Sequence, residues 1–309
     1  MLLDIIDIVA PVFLVVGAGY LSVKSGLFTA ESIDYLMKFA IQIAIPCLLF
    51  RATSTIDLVS AFDWRMLLAY YGAACMSFAV AFFVVKNYFN RRSGEAVGIA
   101  FAALFSNLVL LGLPISERAW GADNLAPEFA LVSVNAPICY LIGISTMELL
   151  RADGRGAADT LKVVLKAMFR NSMMIGIGLG FIVNLSGLTL PESMIGALDL
   201  LARASLPVAL FALGGVLTRF ALSKSLGEAS LISVLSLVVQ PAITLLLGQL
   251  LQLPESVTRS IVLMSAVAPG LNAYLFASMY NRGLDAAAST VLLSTVLSVF
   301  SVSAWLVFL

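Results

Sequence analysis

A block of 34 residues occurs twice in this chain, 161 residues apart and without a gap. Gly17 to Phe50 align with Gly178 to Phe211, and ten of the 34 positions are identical. The identities include Ser25-Gly26-Leu27 against Ser186-Gly187-Leu188, Glu31-Ser32 against Glu192-Ser193, and Pro46 against Pro207. A chain built this way is two halves of one architecture. In a membrane protein, internal repeats mark secondary transporters, which bind substrate where the repeats meet.

Composition places the chain in the bilayer. It is 61% hydrophobic and 12% charged, with a mean hydropathy of +1.03. Few soluble domains can hide so much apolar surface. Net charge is zero, so no basic face points to nucleic acid. There is no histidine, which removes His-based metal sites, bases and proton relays. The three cysteines, Cys47, Cys75 and Cys139, sit inside apolar runs as small hydrophobes. No metal site, cofactor or enzymatic constellation can be assembled from these residue types. The start is acidic (Asp4, Asp7), unlike a secretory signal, so the first apolar run is expected to stay as a helix.

A bilayer core of ~30 Å needs ~20 apolar residues per helix. Ten runs meet that length: 5–23, 33–52, 64–86, 96–117, 127–150, 163–185, 194–218, 229–251, 257–279 and 285–308. The expected fold class is an all-α integral membrane protein of ten transmembrane helices. The repeat lays runs one to five over runs six to ten. An odd number of spans per repeat makes the second half enter from the opposite side, so the repeat is inverted. The expected division is a first repeat at 1–150, a linker at 151–162 and a second repeat at 163–309. Loops after odd runs hold twelve Lys and Arg, and loops after even runs hold four. That bias puts the odd loops and the linker in the cytoplasm and both termini outside.

Two runs are interrupted at matching places. The fourth contains Ser106-Asn107-Leu108-Val109-Leu110-Leu111-Gly112-Leu113-Pro114, and the ninth contains Pro269-Gly270-Leu271-Asn272. Asn107 aligns with Pro269 once one residue is inserted. Proline removes a donor and clashes with the preceding turn, and glycine loosens the backbone. Taken singly, either break reads equally well as a harmless kink. Taken as a pair, they point to a binding site, because irregular backbone at membrane depth is tolerated where it lines a cavity or is buried in protein. A broken helix also presents free N–H groups and partial positive charge, which suits a carboxylate. Asn107, Asn272 and the backbone at Gly112 and Gly270 are the candidate contacts. Asn135 of the fifth run is a further candidate donor, with Tyr140 five residues on and Gln240 before Pro241 as secondary candidates. Pro46 and Pro207 form a second matched pair, read as kinks or hinges.

These breaks resemble those of the auxin efflux carrier superfamily, which includes plant PIN-like carriers and bacterial organic-acid carriers. Asn107-Leu-Val-Leu-Leu-Gly112-Leu-Pro114 resembles the family's Asn-x-x-x-x-Gly-x-Pro, and Pro269-Gly270-Leu271-Asn272-Ala273-Tyr274 resembles its partner. The resemblance covers nearly the whole chain. It implies that the two broken helices cross, as in folds of the bile-acid-symporter and sodium/proton-antiporter kind. It implies a scaffold from helices one, two, six and seven, and an elevator-like transport domain from helices three to five and eight to ten. It gives Asn107 the substrate carboxylate and suggests a homodimer. The chain departs from plant members in carrying Ser106 before Asn107 and in lacking their long central loop. It resembles the bacterial type, located in the inner membrane, whose substrates are small carboxylates such as malonate.

Charges inside membrane spans are functional candidates. Arg203 lies within the seventh run, where it either attracts the anionic substrate or lines its exit path, or else pairs with Asp199, four residues earlier on the same face. Gln42 is the repeat counterpart of Arg203. Neither break holds Asp or Glu, so an anion uniporter driven by voltage is the simplest expectation. Coupling to sodium through Ser106, Ser265 and Ser278, coupling to protons, and a receptor that binds without transporting are the alternatives.

Overall fold

A computed structural model describes residues 2–56, 62–150, 171–222 and 225–309. The expected linker at 151–162 lies outside them. Among the described residues every regular element is a helix. In chain order these are α1 (Leu2–Lys24), α2 (Ala30–Phe39), α3 (Ile45–Thr55), α4 (Trp64–Asn87), α5 (Ser93–Ala100), α6 (Leu113–Trp120) and α7 (Ala126–Leu150). The second half holds α8 (Ser172–Ser186), α9 (Glu192–Leu217), α10 (Leu226–Val234), α11 (Gln240–Leu250), α12 (Glu255–Ala266), α13 (Leu271–Tyr280) and α14 (Leu284–Phe308).

Among the described residues seven helices are long and apolar enough to cross a membrane, counting α2 with α3 and α10 with α11 as continuous pieces. The protein is therefore an integral membrane protein. The difference from ten expected runs has a local cause. The runs at 96–117 and 257–279 are each split in two, so neither offers an unbroken apolar helix. The run at 163–185 is described only from Asn171 onward.

Three helices carry a wider π-turn, at Ala40–Ala44, Leu108–Gly112 and Leu235–Val239. Each ends two residues before a proline: Pro46, Pro114 and Pro241. A proline cannot bond the carbonyl four residues back and its ring crowds that carbonyl, so the turn opens. The freed carbonyls need other donors in an apolar setting. For Pro241 that carbonyl is Leu237, which accepts from Ser301 Oγ at 2.6 Å and Trp305 Nε1 at 2.9 Å. For Pro11 it is Asp7, which accepts from Arg118 Nη2 at 2.7 Å.

Repeat-equivalent residues pack alike. Gly19 leaves room for the Phe211 carbonyl, and Gly180, its counterpart, for the Phe50 carbonyl 2.7 Å from where a Cβ would stand. Phe50 and Phe211 are themselves counterparts. Gly26 and Gly187 both adopt positive φ, 78° and 64°, at the turns that follow α1 and α8, a conformation that needs glycine. The shared Ser-Gly-Leu triplet is thus a turn signal, and the shared glycines are helix-contact signals.

Substitution separates these roles. Gly19→Ala and Gly180→Ala force a methyl onto a backbone carbonyl and should each cost about 1–3 kcal/mol, read as a lower melting temperature in detergent. Gly17→Ala, with open space beside it, should leave melting unchanged.

Candidate functional site

The two breaks meet. The backbone N–H of Asn107 donates to the Ala268 carbonyl at 2.9 Å, and that of Gly270 donates to the Phe105 carbonyl at 3.1 Å. Ser106 and Pro269 face each other between these bonds as an isolated antiparallel bridge. Each break therefore satisfies backbone groups of the other, which is the requirement for leaving helical geometry inside a membrane protein. A Cβ at Gly270 would stand 3.4 Å from Asn107 Cα, in ordinary van der Waals contact. Gly112 admits the Met264 sulfur of α12, 2.5 Å from where its Cβ would stand. Pro114 is buried at the start of α6.

A cavity of about 890 Å³ opens beside this bridge. Of the expected contacts, Ser106, Asn107, Asn135, Tyr140, Asn272 and Gln42 all line it. Gly112, Pro114, Pro269 and Gly270 stand behind the wall and shape it without lining it.

The asparagines share one arrangement. Asn107 Oδ1 accepts the Leu110 N–H at 3.3 Å, capping the turn that restarts its helix. Asn135 Oδ1 lies 3.4 Å from the Tyr71 hydroxyl and 3.5 Å from the Cys139 thiol, donors it shares with the Leu131 and Leu104 carbonyls at 3.3 and 3.6 Å. Asn272 Oδ1 accepts from the Tyr140 hydroxyl at 3.4 Å. In every case a protein donor engages the amide oxygen, and among the described residues the NH₂ is left without a protein partner. Three neutral amides line this space, and among the described residues the one cation in the lining is Arg219, at the mouth. The start of α13 adds to this, since Leu271 and Asn272 line the cavity at the positive end of that helix.

The mouth is ionic. Arg219 lines it and pairs with Asp34 at 2.8 Å, with Asn171 and Asp285 nearby on the same lining. All four stand at helix ends on the side expected to be cytoplasmic.

Several expectations are corrected. Asp199 does not pair with Arg203. It binds Arg51 Nε at 2.6 Å, across 148 residues of sequence. The α3 end reaches α9 there, and the shorter long-range bond takes the carboxylate. Arg203 is exposed and does not line the cavity. Gln240 is fully buried outside the cavity, with neither side-chain atom bonded. Pro207 and Pro46, expected as kinks or hinges, lie inside α9 and just after a π-turn, where Pro46 packs against Gly176. Of the hydroxyls weighed for sodium, Ser265 donates to the Val262 carbonyl at 2.8 Å and Ser278 is exposed.

Sequence reasoning also missed residues. Tyr71, which orients Asn135, sits in an unremarkable apolar run whose contact is 64 residues away. Glu128 is fully buried near the start of α7. Its signal was visible as a carboxylate two residues into an apolar run, but it lay outside both breaks.

The membrane transport protein family matches this chain over residues 4–306. The chain belongs to that family, the auxin efflux carrier family. An uncharacterized transporter of Methanothermobacter thermautotrophicus is 25% identical over 309 residues, covering 98% of each chain. A Rhizobium meliloti protein named "Putative malonate transporter" is 22% identical over 303 residues, covering 97% of this chain and 94% of that one. The uncharacterized transporter YfdV of Escherichia coli is 24% identical over 279 residues, covering 88% and 87%.

Side-specific labelling checks the cavity's opening. With Cys47, Cys75 and Cys139 replaced, a cysteine at position 42 or 272 should react with a membrane-impermeant thiol reagent added from the Asp34–Arg219 side. Reaction only from the opposite side would mean the cavity is misassigned.

Proposed function

We propose that this protein is a secondary transporter of small organic carboxylate anions, such as malonate or auxin-like acids. The carrying observation is the trio Asn107, Asn135 and Asn272, which line one cavity with each amide oxygen engaged by a protein donor. Such a set favours an acceptor-rich ligand, because a carboxylate takes several donors and offers none. Neutral donors bind it without the deep well that a buried lysine or arginine would make, so the anion can leave again. The malonate name of the Rhizobium meliloti relative supports the substrate class.

The proposed architecture is a ten-helix inverted repeat in which the two broken helices cross. Helices one, two, six and seven (α1, α2–α3, α8 and α9) form a scaffold. Helices three to five and eight to ten form a transport domain that carries the bound anion in an elevator-type movement. Two copies associate through the scaffold, in a bacterial inner membrane, with both termini outside. The glycine-lined contacts of α1 with α9 and of α8 with α3 support a rigid scaffold. The cavity, open toward the Asp34–Arg219 mouth, is the inward-facing arrangement.

An anion leaving a negative-inside cell gains ~2.3 kcal/mol per charge per 100 mV, so efflux by uniport needs no further site. Cation coupling is favoured by one specific observation, the buried carboxylate of Glu128 on the helix that carries Asn135.

Flux of radiolabelled malonate into proteoliposomes, with unlabelled mono- and dicarboxylates as competitors, tests the reading. Wild type should show competed, saturable flux. Asn107→Ala should lower it roughly tenfold, the loss of ~1.4 kcal/mol of substrate interaction, at undiminished expression. Ligand-induced thermal stabilisation without flux for any acid would instead indicate a receptor.

A further inference from the structure

Glu128 is the most deeply buried carboxylate among the described residues, with no exposed surface, and neither of its oxygens has a hydrogen-bond partner. It forms no ion pair. The polar groups that face it come from two other elements: the Ser116 hydroxyl of α6, and the Ser260 hydroxyl and Arg259 guanidinium of α12. Ser116 Oγ is itself buried without a partner, and so is Arg259 Nε. The guanidinium lies over the Trp120 ring, 5.2 Å from its centroid, instead of closing on the carboxylate. The remaining charges on these elements are turned away or engaged. Glu117 and Glu255 are exposed, and Arg118 is bonded to the Asp7 and Ile8 carbonyls. Four buried or half-buried polar groups thus converge without completing a network.

An unpaired carboxylate in such surroundings is strongly unfavourable as a bare anion. A proton removes the charge at once. A metal cation fits less well: two hydroxyls and one carboxylate are few oxygens for a hard ion, and a guanidinium on the same pocket repels it. Position ties the group to the substrate site. Glu128 and Asn135 are seven residues apart on α7, so they share a face about 10 Å apart along the axis. α12, which supplies Ser260 and Arg259, runs directly into the break at 267–270.

We propose that Glu128 is a proton-binding site that couples proton movement to movement of the anion. This rests on the carrier reading and replaces its simplest form, bare uniport. In the arrangement described here the carboxyl carries its proton and Arg259 rests on Trp120. When the proton leaves, the carboxylate draws Arg259 off the ring, closing α12 against α7. That ion pair shifts the packing of the two elements that hold the break and Asn135, so proton and anion occupancy bias the same pair of arrangements.

Two measurements on the full-length protein test this. Infrared titration in lipid nanodiscs needs no substrate: wild type should show the C=O stretch of a buried protonated carboxyl, absent in Glu128→Gln and unmoved by sodium. In proteoliposomes with the potential clamped at zero, an imposed gradient of one pH unit should drive about tenfold malonate accumulation in wild type, and none in Glu128→Gln. Should Glu128→Gln not accumulate, Glu128→Asp keeps the acid and should retain the band at a shifted frequency. A band that persists in Glu128→Gln, a band missing from wild type, or flux that follows sodium and ignores the pH gradient would overturn the proposal. A Glu128-dependent band with no flux of any carboxylate would leave the proton site standing and sink the carboxylate-carrier reading.

Discussion

Two hydrogen bonds between the broken segments hold this molecule's unusual region together. Inside a bilayer, a backbone that leaves the helix must find partners for its N–H and C=O groups within the protein. Here the Asn107 N–H takes the Ala268 carbonyl and the Gly270 N–H takes the Phe105 carbonyl. Much else follows from that exchange. The helix that restarts at Leu108 needs a cap, and the Asn107 amide oxygen supplies it. Capping with the oxygen leaves the NH₂ without a protein partner among the described residues, on a side chain that lines the cavity. A structural necessity and a binding group are the same side chain.

The prolines obey the same logic elsewhere. Each frees a carbonyl that the membrane will not hydrate. Leu237 is satisfied by Ser301 and Trp305, and Asp7 by Arg118. These bonds stitch separate helices together at their weak points, so the irregularities also serve as inter-helix fastenings. The glycine contacts at Gly19 and Gly180 act in the opposite way, by bringing unbroken helices close enough for dispersion to hold them.

What the sequence made legible was local. The 161-residue repeat, the apolar runs and the paired Asn–Gly–Pro interruptions all express themselves within a few residues, and Asn107, Asn135, Tyr140, Asn272 and Gln42 do share one cavity. What it hid was long-range. The spacing of Asp199 and Arg203 suggests a helical pair, yet Arg51 reaches Asp199 from 148 residues away. Tyr71 carries no motif that announces Asn135 as its partner. Glu128 stands outside both breaks in the sequence, and it is the fold that brings α6 and α12 to it. The count of spans was blurred for a physical reason too: a broken helix is as apolar as a continuous one, and only its backbone shows the split.

The central claim is that a substrate carboxylate binds at the paired breaks through amide donors and not at the ionic mouth. A structure determined with malonate bound tests it most directly. The account predicts carboxylate oxygens within about 3 Å of the Asn107 and Asn272 side-chain nitrogens, beside the Ser106–Pro269 bridge. Malonate bound instead against Arg219, with the asparagine amides untouched, would contradict it.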